Sequence, residues 1–148
     1  MLRALGLIVI VLGIPSIVFL VTGTVVGMPF ADAVGAMLEQ YGADRPNLLV
    51  TGVIGLAPLA LLGVVLWIHH LAKGKPDIRK YLLWGGFIPI VAVLIWTNQE
   101  FWGVYLPERR SPGFPHGLEL LIGPIFYAPV AMGFGMVTAW FIGRQQVR

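Results

Sequence analysis

No cysteine occurs among the 148 residues, which excludes a disulfide, a Cys-ligated zinc site and a Cys-ligated iron–sulfur cluster. Charge is the next shortage. Asp, Glu, Lys and Arg make up 11% of the chain, where a soluble domain carries roughly a quarter, so too few charges remain to cover a water-exposed surface. The shortage is also local: residues 4–27, 46–72, 81–99 and 120–143 hold none of these four residue types. Missing too are the phosphate-cradling G-x-x-x-x-G-K, the zinc-protease HExxH and the nucleophile motif G-x-S-x-G, so no motif speaks for an enzyme.

What remains is apolar, 57% of the chain. A helix of about 20 apolar residues crosses the hydrocarbon core of a bilayer, and its hydrogen-bonded backbone needs no water there. The four uncharged runs therefore predict an all-α integral membrane protein. The expected architecture is an antiparallel four-transmembrane-helix bundle, a single polytopic domain over 1–148, with helices near 4–27, 47–70, 81–98 and 119–143. The first run exceeds the ~7–15 apolar residues of a signal-peptide core and is followed by no A-x-A-like site, so it is read as a membrane helix.

Lysine and arginine are retained on the cytoplasmic side of a membrane, and their distribution orients the chain. Arg3, Lys73, Lys75, Arg79, Lys80, Arg144 and Arg148 fall on one side if the helices alternate. The other side holds Arg45, Arg109 and Arg110, diluted by six acidic residues. Both termini are expected in the cytoplasm, and a bacterial-type inner membrane is the expected location. The net charge of +3 reflects this bias and does not point to nucleic acid. All five tryptophans, Trp67, Trp84, Trp96, Trp102 and Trp140, fall near helix ends, as headgroup-seeking rings do.

The two outer connections have their own character. In residues 28–46, Phe30, Val34, Met37, Leu38 and Tyr41 recur at helical spacing between Pro29, which suits a helix start, and Gly42, which suits a helix end. This predicts a short amphipathic interfacial helix between helices one and two, lying on the outer membrane surface. The second connection carries Pro107, Pro112 and Pro115, which prevent a regular helix, and Phe101, Trp102, Tyr105 and Phe114, which are expected in the interface.

Small residues mark close helix contact. Ala131, Gly135, Ala139 and Gly143 form a four-residue-spaced stripe on helix four, Gly23 and Gly27 a shorter one on helix one, and Gly55 and Gly63 lie two turns apart on helix two. The contacting surface is another helix of this chain or a partner: membrane lipids aside, other membrane subunits or copies of itself. Prolines Pro15, Pro58, Pro89, Pro124 and Pro129 stand inside the helices, each freeing the carbonyl four residues earlier, and Pro15, Pro58, Pro89 and Pro129 define a possible ion path. Kinks tolerated by neighbouring helices are the preferred reading, because no ionisable residue occupies the middle of a run, as proton and ion pathways require.

His69 and His70 end the second run. Neighbouring helical side chains diverge by about 100°, and His116 lies roughly 30 Å away across the membrane, which excludes a bis-histidine haem within one chain. One of the two could ligate a haem or pigment shared with another chain; interfacial histidines are the preferred reading. His116 and Glu119, with Glu100 and Glu108 in the same connection, offer a weak metal site. Against it, Glu119 also suits the positive end of helix four, and no metal is expected. The function expected is that of a non-catalytic accessory or scaffold subunit of a larger membrane complex. The alternatives are a small transporter or pore, and the shared-haem subunit.

Overall fold

The computed structural model describes residues 2–43, 52–72, 75–103 and 117–146. Five helices account for these segments: α1 (Leu2–Val25), α2 (Phe30–Ala43), α3 (Gly52–Leu71), α4 (Pro76–Trp102) and α5 (Glu119–Gln146). Four of them, all but α2, are long and apolar enough to cross a membrane. No strand occurs among the described residues.

The helices outrun the charge-free runs that announce them. The third was expected at 81–98, but α4 begins at Pro76 and continues through Trp102. Proline lacks only an N–H that has no partner in a first turn, and Asp77 faces the positive helix end, so the polar segment before Tyr81 starts the helix. Charge-free length marks the apolar stretch of a helix, whereas the hydrogen-bonded helix extends beyond it.

The helix α1 ends in a Schellman turn: Met28 N–H donates to Gly23 O and Gly27 N–H to Thr24 O. Gly27 sits at φ 90°, a conformation costly for any residue with a Cβ. The chain then reverses, and Tyr41 on α2 shares a 3.0 Å hydrogen bond with Ser16 of α1. At 1.5 Å per residue, Ser16 lies about 15 Å back from the turn and Tyr41 about 18 Å onward, so their contact requires α2 to run back alongside α1. The sequence leads us to expect this amphipathic helix on the outer membrane surface. The helix forms, but it folds back along α1, with Ala33 fully buried and Asp32 and Glu39 exposed.

Helices α4 and α5 pair antiparallel in a long register: Thr97 packs on Gly123, the Trp96 ring on that of Tyr127, Gly85 on Gly135, and Tyr81 on Gly143. Helix α3 returns against α4, where Leu62 meets Gly86, and Met132 and Met136 of α5 close on the same glycine. The core runs through Phe19, Leu62, Ile90 and Trp102. Lys75, Arg79, Lys80 and Arg144 gather at one end of these helices, whereas Glu100 and Glu119 lie towards the other.

Candidate functional site

A close approach between α4 and α5 is built on the small-residue stripe of α5. A Cβ at Gly135 would fall 2.6 Å from Pro89 Cγ and closer still to Gly85 O; one at Gly85 would meet Gly135 O at 2.7 Å and collide with the Ala139 methyl. A Cβ at Gly143 would meet the Tyr81 ring at 2.9 Å. Ala131, Gly135 and Ala139 are half-buried and Gly143 is buried. The neighbour at Gly135, Ala139 and Gly143 is thus α4 of the same chain. Gly27 belongs to the turn that ends α1 and has open space around it, and Gly23 is buried with its carbonyl bonded to Met28. Gly55 and Gly63 likewise face open space.

The same seam determines what Pro89 does. The carbonyl freed by this proline is that of Gly85, and it lies against Gly135, whose Cα hydrogens point where a Cβ would strike that oxygen. Pro58 is not a mid-helix residue. The backbone breaks at Leu56, which donates to Val53 O, and Pro58 is buried in the first turn of the α-helix Ala57–Leu71. Pro129 follows a π-turn, Gly123–Tyr127, in which Ala128 N–H reaches Gly123 O. Two prolines five residues apart disturb consecutive turns, and the wider π-turn gives their rings room. Pro15 remains a proline inside a continuous α1.

A second constellation lies where α1, α2 and α4 meet. Trp102 is 2% exposed, with the Phe19 ring edge-on at 5.1 Å and 87°, Phe101 at 4.7 Å and Tyr41 at 6.3 Å. Trp102 and Phe101 are both buried among neighbouring helices, while Trp67, Trp84 and Trp96 stay about half exposed. Tyr41 of α2 is one of the side chains that cover this end of α4. Beside this cluster are two buried polar residues that the run of apolar sequence did not announce. Thr97 Oγ1 donates to Leu94 O at 3.2 Å and Asn98 Nδ2 to the same oxygen at 2.8 Å.

Of the candidate ligands, His70 is exposed and His69 half-buried, with Nδ1 enclosed and without a hydrogen-bond partner among the described residues. His116 and Glu108 lie outside the described residues, as does the proline-rich connection. Glu119 Oε2 accepts the Gly117 N–H at 3.1 Å, at the start of α5, where a carboxylate complements the helix dipole. No group of three or more His, Cys, Asp or Glu able to hold a metal occurs among the described residues.

One feature was not anticipated from the sequence. A cavity of about 770 Å³ opens between α1, α3 and α4, walled by Ile8, Leu59, Gly63 and Leu66 and bordered by Arg79 and Lys80. The residues were visible, but only as separate signals: Gly63 as packing, Arg79 and Lys80 as topogenic charge. No protein-family model matches the sequence, and the comparisons with curated proteins and with solved structures also find no match.

Proposed function

We propose that the chain is a non-catalytic accessory or scaffold subunit of a larger membrane complex. Its four long helices form an antiparallel transmembrane bundle, with both termini in the cytoplasm of a bacterial-type inner membrane. The observation that carries this reading is the state of the buried polar groups. A reaction or transport site presents polar atoms to a space that a substrate can enter. Here the buried Thr97 and Asn98 turn back to the carbonyl of Leu94, and the half-buried Thr22 and the exposed Thr138 likewise bond within their own helices, to Val18 and Phe134. The helix interfaces are filled by Leu62, Ile90, Met132, Met136 and Trp102. These are groups arranged for packing.

Against the pore reading, the Gly85 carbonyl freed by Pro89 lies against Gly135 of α5. The shared-haem reading rests on the half-buried His69 or the exposed His70, each supplying one ligand to a group held with another chain. Reconstitution into liposomes tests the choice: the accessory reading predicts no flux of ions or small solutes under imposed gradients. Flux that disappears in Pro89→Ala would overturn it in favour of the pore.

A further inference from the structure

We propose that the crevice between α1, α3 and α4 is a binding site for one anionic diacyl phospholipid, its phosphate at Arg79 and Lys80 and an acyl chain between α1 and α3. The inference rests on the transmembrane placement proposed above, and not on membership of a complex. The crevice is long and graded. From Leu66 to Leu56 its α3 wall covers ten residues, about 15 Å at helical rise. Along that length the wall is Leu56, Leu59, Gly63 and Leu66, faced by Leu7 and Ile8 of α1. The basic residues occur only at the end where α4 begins.

Gly63 is what makes the groove. A Cβ there would meet nothing within 4 Å, so an apolar residue at this helix position leaves space unused by the protein itself. Space of about 770 Å³ lies within the range of pockets that enclose small ligands. A water-filled apolar crevice in a bilayer is costly, and an acyl chain is the available apolar filler.

Charge selects the headgroup. Arg79 and Lys80 are exposed at the mouth, with Lys75 one turn before. Asp77 approaches Lys80 at 3.5 Å, but both side chains are more than half exposed, so this pair is weak and screened. The mouth stays positive, and it lies at the end that the charge bias assigns to the cytoplasmic leaflet, where basic pockets between helices hold anionic headgroups.

The test uses the full chain purified in mild detergent, with lipid retention read by native mass spectrometry. The probes are dioleoyl-phosphatidylglycerol and dioleoyl-phosphatidylcholine, with inorganic phosphate as competitor. The wild type should retain one phosphatidylglycerol in preference to phosphatidylcholine and keep it against millimolar phosphate. Arg79→Gln with Lys80→Gln, at exposed positions, should weaken phosphatidylglycerol by roughly thirty-fold, since each basic residue near an anionic headgroup contributes about 1 kcal/mol, and leave phosphatidylcholine unchanged. Gly63→Leu should displace both lipids, while Gly133→Leu, which adds the same group on α5 away from the crevice, should displace neither. Equal retention of the two lipids by the wild type, or unchanged retention in both crevice variants, would overturn the site. Displacement by phosphate alone would reduce it to a surface anion contact and overturn it too. Because lipid is read on the isolated chain, failure here leaves the accessory reading standing, and the reverse also holds.

Discussion

Placing one methyl group at Gly135 tests the α4–α5 seam. The new Cβ would meet Pro89 Cγ at 2.6 Å and come nearer still to the Gly85 carbonyl, inside the 3.0 Å that real Cβ atoms respect. Neither neighbour can rotate away, since one is backbone and the other a proline ring on the same helix, so α4 and α5 must separate. Overpacking of this kind costs about 1–3 kcal/mol, and an unyielding neighbour places it at the upper end. Replacing glycine by alanine in a helix returns up to about 1 kcal/mol, leaving Gly135→Ala destabilised by about 2 kcal/mol. Gly133, two residues earlier on the same helix, is the matched control because a Cβ there meets nothing within 4 Å. Gly133→Ala should be neutral or stabilised by up to about 1 kcal/mol. The two variants should therefore differ by about 3 kcal/mol in SDS-induced unfolding from mixed micelles, followed by circular dichroism. A difference below ~0.5 kcal/mol, half the propensity term alone, would refute the seam. The same geometry implies that Gly135→Leu acts by disrupting the chain's own fold.

Other outcomes follow from the same contacts. Tyr41→Phe and Ser16→Ala should each cost about 0.5–1.5 kcal/mol, and their combination no more than either alone, because both remove one hydrogen bond; an additive double-mutant cycle would contradict the folded-back α2. Gly27→Ala should destabilise by about 1–2 kcal/mol in the same unfolding assay, since alanine pays for the left-handed backbone at φ 90°. Trp102→Ala should cost about 3–5 kcal/mol, as expected of a buried aromatic; a loss near zero would contradict its burial.

Four long helices were legible because each charge-free run is long enough to hold about five turns of apolar helix. Their true ends were not, because Pro76 and Asp77 read as a polar break when they are favourable first-turn residues. Helix α2 was legible from its spacing, but its direction depended on Ser16 and Tyr41, 25 residues apart and each inconspicuous alone. The stripe on α5 announced a close contact, while its partner, Gly85, was concealed by register, a non-local property. The pair Gly85–Gly86 was the available signal: one glycine admits α5 and the next admits Leu62 of α3. The aromatic burial of Trp102 escaped for the same reason, since position near a helix end says nothing about which face a neighbour covers. The crevice arises from three helices and carries no local signature.

The most direct test of the accessory reading is the mass and composition of the native particle, extracted in mild detergent from its own membrane through a tag on the C-terminal segment. The reading predicts an assembly well above the 16.1 kDa of one chain, with unrelated chains in fixed proportion. A particle built only of this chain would contradict it.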